Sequence, residues 1–212
     1  MTVKLYYLHD PMCSWCWGYR PAWDKLQSAL PSSVQVQYVC GGLAPDSNVE
    51  MPFAQQEMIQ QHWRVIEKKL ATKFNFDFWQ NNTPRRSTYN SCRAAIAANR
   101  QGFQLAMIDA IQQGYYLRAL NPSDNDILVT LAKSLAEQFT GFDLSTFVDD
   151  LGSESVEQEL MRQIDFSRAL SQQGFPSLVL EVNGEREQLA IDYTDYQLTL
   201  DTIKQHITNK GG

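Results

Sequence analysis

This sequence has few cysteines, no long apolar run and no surplus of basic residues. Its 212 residues contain four cysteines, too few for a secreted scaffold held together by disulfides. No window approaches the roughly 18 apolar residues of a membrane span. The 18 Lys and Arg residues against 24 Asp and Glu give a net charge of −6. This balance argues against nucleic acid or an anionic membrane as a partner.

The first ten residues, MTVKLYYLHD, lack an apolar segment followed by a small-residue cleavage site, as a secretory leader would have. We therefore expect a cytoplasmic location. In a reducing compartment, two close cysteines are more often catalytic or metal-binding than structural. The composition, with 43% apolar and 20% charged residues, predicts an ordinary globular chain with one large domain or one domain with an insertion.

Local patterns divide the chain into three parts. In the first, Val3 to Leu8 and Val34 to Val39 predict two strands, and an apolar stripe at helical spacing between them predicts a helix. In the second, from about residue 48 to 173, nearly every segment carries a helical stripe. In the third, alternating residues on both sides of Asn183-Gly184 predict a hairpin, which an amphipathic helix follows.

This order predicts the fold class α/β, with one domain inserted into another. We place the α/β domain at residues 1–45 and 174–212 and the helical insertion at 46–173. Within the insertion, the aromatic stretch from Phe74 to Trp79 has no clear helical period and is predicted to be a loop.

The chemistry of the chain centres on the stretch DPMCSWCWG, from Asp10 to Gly18. Cys13 and Cys16 could be a redox dithiol, half of a metal site, a nucleophile with a spectator thiol, or packing residues. A helix N-terminus favours the thiolate, which is the attacking form of cysteine. Cys13 is predicted just ahead of the helix and Cys16 within its first turn. We therefore expect Cys13 to be the exposed, acidified thiol and Cys16 the resolving one.

Several motifs together resemble a known family. They are CSWC itself, Pro21 inside the predicted helix, GFPS (Gly174 to Ser177) ahead of the hairpin, and the helical block between the two halves. In this arrangement the chain resembles the thioredoxin superfamily, within it the DsbA family, and most of all the FrnE-type branch.

The resemblance implies a thioredoxin fold with a large helical insertion. It also implies Cys13 as nucleophile, Cys16 as resolving thiol, and Pro176 as a cis-proline that lies beside the dithiol and contacts substrate. Phe175, Trp15 and Met12 are expected to belong to the same substrate-binding surface, with Trp15 exposed.

The residues between the cysteines depart from the family's oxidising members. Those proteins often have a histidine there, whereas this chain has Ser14-Trp15. A weaker stabilisation of the thiolate predicts a less oxidising dithiol, and hence a reductase or isomerase. Protein or small-molecule disulfides would be its substrates, and glutathione its co-substrate. No bound cofactor is expected, and the sequence makes no prediction of oligomeric state.

The remaining cysteines and the residues before the motif leave alternatives open. A zinc site at Cys13 and Cys16 needs two further ligands, and Cys40 and Cys92 are single, so a metal is disfavoured. Cys92 is predicted to be a buried structural thiol, and a second redox pair with Cys40 is a weaker hypothesis. Asp10, next to His9, is either a proton acceptor for Cys16 or a residue that shapes the turn.

Two other functions compete with the oxidoreductase. A glutathione-dependent transferase or isomerase of the kappa type would need Cys13 or a thiolate-stabilising group but not Cys16. A chaperone-like or metal-binding module would use the aromatic residues and thiols without catalysis. The presence of the second cysteine favours the dithiol enzyme.

Overall fold

The computed structural model describes residues 2–171 and 173–210. Residues 1, 172, 211 and 212 of the predicted domain ranges lie outside this description. The elements in chain order are β1 (Val3–His9), α1 (Ser14–Ala29), β2 (Val34–Cys40), α2 (Phe53–Leu70), α3 (Phe78–Asn81), α4 (Tyr89–Asn99), α5 (Gln104–Arg118), α6 (Asn125–Gln138), α7 (Leu144–Leu151), α8 (Glu154–Leu170), β3 (Ser177–Val182), β4 (Glu185–Leu189) and α9 (Tyr196–Lys210). This order confirms the α/β class, while the division into two domains stays a prediction.

The four strands form one sheet in the order β2-β1-β3-β4. β1 pairs in parallel with β2, and a parallel pair needs a crossover, which α1 supplies. β3 runs antiparallel to β1 and to β4. Asn183 and Gly184 both have positive φ, as a tight hairpin turn requires. The alternation after the turn predicts a strand over Glu187 to Ile191, but because the turn contains only these two residues, β4 begins at Glu185 and ends at Leu189.

The strand β1 lies between two packed faces. Val3, Leu5 and Tyr7 contribute to a cluster with α1 and α9, and Tyr6 and Leu8 to a second cluster with residues of α8. Side chains alternate between the faces of a strand, so His9 at the end of β1 falls on the face of Tyr7. The two rings stack with their centroids 5.4 Å apart. This alternation brings His9 to the side of the sheet that α1 covers.

Helices α4 to α8 build a separate apolar cluster, with the small residues of α4 at its centre. The helical character predicted for this part of the chain is confirmed. The loop predicted over Phe74 to Trp79 is partly wrong, because Phe78 and Trp79 begin the short helix α3. The aromatic side chains there pack around Trp63 as a core cluster. None of the described helices has the length and apolar character needed to cross a bilayer.

Candidate active site

Cys13 occupies the N-cap position of α1. Its Sγ accepts a hydrogen bond from the backbone N–H of Cys16 at 3.4 Å and donates one to the carbonyl oxygen of Phe175 at 3.3 Å. The turn that places it there is closed by the Cys13 N–H, which donates to the Asp10 carbonyl at 3.0 Å. The first-turn N–H groups of a helix carry partial positive charge. The partial positive charge of the Cys16 N–H therefore faces the Cys13 sulfur.

The expected exposure of Cys13 is wrong. Its side chain is 5% exposed and that of Cys16 is 1% exposed. Cys13 instead lines a cavity of about 220 Å³, whose other walls come largely from residues of the helical part. The pattern of α1 alone could not reveal this, because the covering residues are distant in sequence. A substrate would reach Cys13 through this cavity.

The environment of Cys16 differs from that of Cys13. Burial raises the pKa of the Cys16 thiol well above its ordinary value, and its hydrogen bond with Cys13 and the charge of Cys13 raise it further. Cys16 is thus a protonated thiol at neutral pH, and it lies in the first turn of α1. The two thiols therefore differ chemically: Cys13 lines the cavity, and Cys16 must lose a proton before it can act as a nucleophile.

The residues predicted to contact substrate are only partly brought together. Met12, Trp15 and Phe175 line the cavity together with Cys13. Pro176 follows a cis peptide bond with Phe175, but it is buried and is not among the lining residues. Trp15 is half-buried rather than exposed, because its ring packs edge-to-face on Tyr193 at 5.4 Å.

Several basic residues that line this cavity were not predicted from the sequence. Arg85, Arg86 and His62 line it together with the indole of Trp63, and none of its lining residues is an aspartate or glutamate. In a chain with a net charge of −6, such a wall is unusual. The two adjacent arginines can be read in the sequence, but no local pattern indicates that they line the same cavity as Cys13. The cavity is therefore suited to a negatively charged ligand.

A family model described as thioredoxin matches residues 6–201, from β1 into α9. The chain belongs to the thioredoxin family. Among solved structures it is similar to a candidate protein disulfide isomerase from Nitrosomonas europaea, at 23% identity and a TM-score of 0.83, with both chains fully covered. It is also similar to the cytosolic disulfide reductase DsbM from Pseudomonas aeruginosa, at 22% identity and a TM-score of 0.75, covering 97% of each chain. A DsbM structure with GSH matches at 21% identity and a TM-score of 0.71, covering 97% of this chain and 98% of that one.

These similarities confirm the DsbA-like thioredoxin fold with a helical insertion. A curated relative is 25% identical over 183 residues: the ClpXP adapter protein SpxH of Halalkalibacterium halodurans. The match covers 84% of this chain and 58% of that protein, so the chain spans little more than half the length of this relative.

In this thioredoxin-family protein, Asp10 is a buried hydrogen-bond acceptor. One carboxylate oxygen accepts the Met12 N–H at 2.8 Å, and the other accepts the Leu43 N–H at 2.7 Å and the Thr88 hydroxyl at 2.6 Å. The Cys92 thiol also donates to it at 3.6 Å. These donors occupy both oxygens, which favours the turn-shaping role over proton transfer from Cys16.

Cys40 and Cys92 are neighbouring, fully buried free thiols. The Cys40 Sγ lies 4.0 Å from the Cys92 carbonyl oxygen. The neighbouring Cys92 and His9 side chains lower the pKa of Cys40, whereas burial raises the pKa of Cys92. The predicted burial of Cys92 is confirmed. In the described part of the chain, no three His, Cys, Asp or Glu side chains are grouped to hold a metal ion.

The close approach of Gly41 to Phe175 gives a testable prediction. A Cβ at position 41 would lie 1.9 Å from Cζ of the Phe175 ring, so Gly41→Ala must displace the residue whose carbonyl oxygen contacts Cys13. We expect the free energy of unfolding, measured in urea, to fall by about 1–3 kcal/mol. Gly152→Ala is the control, since a Cβ there meets nothing within 4 Å. Equal effects of the two variants would contradict the packing argument.

Proposed function

We propose that this protein is a thiol-disulfide oxidoreductase that acts through Cys13 and Cys16. The observation that carries the proposal is the position of Cys13, which lies at the N-terminus of α1, accepts the Cys16 N–H and lines a cavity. Cys16, in the first turn of the same helix, is a protonated thiol. The description of DsbM as a cytosolic disulfide reductase supports the same chemistry, and we propose a reducing compartment here as well.

The proposed reaction has two displacement steps. The Cys13 thiolate attacks one sulfur of a substrate disulfide, forms a mixed disulfide and releases the other half as a thiolate. Cys16 then loses its proton and attacks the Cys13 sulfur, which releases the second half. The substrate gains two electrons, and the enzyme is left with a Cys13–Cys16 disulfide. Two molecules of a thiol such as glutathione then reduce this disulfide and are themselves oxidised.

Reduction is the direction we propose for this cycle. A positive charge beside the nucleophile stabilises the thiolate form and makes a dithiol a stronger oxidant. Ser14 and Trp15 place no cationic side chain between the two sulfurs. The enzyme should therefore give up electrons more readily than a family member with histidine at this place.

The cavity wall supports a small anionic disulfide as substrate, such as a mixed disulfide of glutathione with another thiol. Arg85 is paired with Asp124, whereas Arg86 has no carboxylate partner within the described residues. The buried indole Nε1 of Trp63 likewise has no hydrogen-bond partner there. The Arg86 guanidinium is therefore the group that can donate to a ligand carboxylate, since the Trp63 Nε1 has no exposed surface. The DsbM structure with GSH shows that a thiol of this class binds a protein of the same fold.

Arg86→Gln tests this charge recognition. Because hydrogen bonds to charged groups contribute about 1.5–3 kcal/mol, we expect KM for glutathione disulfide, with dithiothreitol as the reductant, to rise roughly tenfold, with kcat little changed. KM for the uncharged 2-hydroxyethyl disulfide should stay the same. Arg64→Gln is the control, since Arg64 lies over the Phe76 ring and outside the cavity. An equal rise of KM for both disulfides would contradict recognition of the carboxylates.

A further inference from the structure

A second cavity, of about 170 Å³, reaches Cys16 and shares no lining residue with the cavity at Cys13. It lies between α1, the ends of β1 and β2, and α5. His9 and Cys16 line it together, and Arg20, Asp24 and Asp109 provide its charged lining. These three charged side chains are 30% to 61% exposed, so the cavity opens to solvent on their side. It has room for several water molecules.

His9 is the unusual member of this cavity. Its side chain is 1% exposed, and neither ring nitrogen makes a hydrogen bond of good geometry within the described residues. A buried polar group without a partner is costly, by about 1–3 kcal/mol. The ring stacks on Tyr7, makes an edge contact with Tyr38 and lowers the pKa of the nearby Cys40, but none of these contacts gives its nitrogen atoms a hydrogen bond of good geometry. Water in the adjoining cavity can satisfy them.

Cys16 needs a base to become a nucleophile in the proposed reaction. It is a buried thiol, and it becomes a nucleophile only when its proton has left. Both oxygens of Asp10 are occupied by donors from the backbone and Thr88. Asp109 is paired with Arg20. Among the groups that line the cavity with Cys16, His9 is a buried base; its interaction with Cys40 engages one ring nitrogen as a donor and leaves the other to accept a proton.

We propose that His9 accepts the proton of Cys16 through water in this cavity during the resolving step. The inference rests on the proposed function. As Cys16 attacks the Cys13 sulfur, its S–H proton passes to an imidazole nitrogen, the electron pair of the broken disulfide leaves on the released thiolate, and the proton continues to solvent past Arg20 and Asp109. In the reverse direction, His9 returns the proton to Cys16. His9 thus relays the proton of Cys16 to solvent and does not contact the substrate.

Other titratable or charged groups surround this ring. They are Tyr7 and Asp10 from its own segment, Cys16, Arg20 and Asp24 from α1, Tyr38 and Cys40 from β2, Cys92 from α4, and Asp109 from α5. With so many neighbours, a pH profile alone would not single out His9. The dependence of the rate on the concentration of buffer base at constant pH is the better measurement, because an external base replaces a missing internal one.

The test uses the reduced full chain and an aromatic disulfide that releases a coloured thiolate at each step. The first phase reports the attack by Cys13 and the second reports resolution by Cys16. In His9→Asn and His9→Phe we expect the first phase to stay within about twofold and the second to slow by about 100-fold. The slowed phase should accelerate with added buffer base, and His9→Glu should recover part of the rate. His206→Asn, at a histidine that lines neither cavity, is the control with both phases unchanged.

Several results would overturn the proposal. One is a second phase in His9→Asn as fast as in the wild type. Another is a second phase that is as slow in His9→Glu as in His9→Asn and does not respond to buffer base. This result would indicate that His9 has only a structural role. If the variants fold poorly, the wild-type protein alone provides a test. A second phase that depends steeply on buffer base in the wild type would mean that no internal base acts, and it would overturn the proposal. The absence of a first phase in the wild type is a different result, because it contradicts the proposed function itself.

Discussion

Cys13→Ser is expected to lower the rate of disulfide reduction by at least about 1000-fold. In the proposed reaction the attacking group is the thiolate of Cys13, at the N-terminus of α1, and a serine hydroxyl at the same place stays protonated and is a far weaker nucleophile. Cys16→Ser should be equally inactive in turnover for a different reason. Its Cys13 attacks normally, but the mixed disulfide is not resolved and accumulates.

The two variants are distinguished by mass spectrometry after exposure to glutathione disulfide. Cys16→Ser should carry one glutathione adduct on Cys13, and Cys13→Ser should carry none. Cys92→Ala is the control, because it removes a buried thiol outside the cavity and should turn over substrate. Turnover by Cys16→Ser at the wild-type rate would favour the kappa-type transferase. Retention of unfolded proteins after alkylation of every thiol, without any turnover, would favour a binding module.

Asp10→Ala is expected to lower the free energy of unfolding by about 3–5 kcal/mol. The carboxylate accepts the N–H groups of Met12 and Leu43 and the hydroxyl of Thr88, all within 2.8 Å. Each buried donor left without an acceptor costs about 1–3 kcal/mol, and some relaxation of the turn reduces the sum. These donors come from the active-site turn, the segment after β2 and the start of α4. The substitution should therefore loosen the site and lower the midpoint of urea unfolding.

Asp192→Ala is the matched control for this prediction. Asp192 also accepts three hydrogen bonds, from the backbone N–H groups of Thr194 and Asp195 and the Thr194 hydroxyl, but it does so in an exposed turn where water can replace it. A much smaller loss is expected. Equal losses in the two variants would mean that the burial of Asp10 contributes nothing to stability.

Local sequence patterns were sufficient for the strands, the hairpin and the dithiol. The alternation on both sides of Asn183-Gly184 is a property of neighbouring residues, and the structure has a hairpin there. The placement of Cys13 ahead of a helix follows from the apolar stripe after it. Boundaries were less accurate, as at β4, because they depend on the register of the paired strand.

The sequence by itself thus determined the α/β class, the helical block and a CxxC motif at a helix N-terminus, since each depends on residues close together in the chain. Only the tertiary structure decided that Cys13 is buried, that Arg86 lines its cavity, and that His9 shares a second cavity with Cys16. These features join residues from separate elements, and some are more than 70 positions apart. Burial and cavities arise from how such elements pack, and no periodicity within one element encodes them.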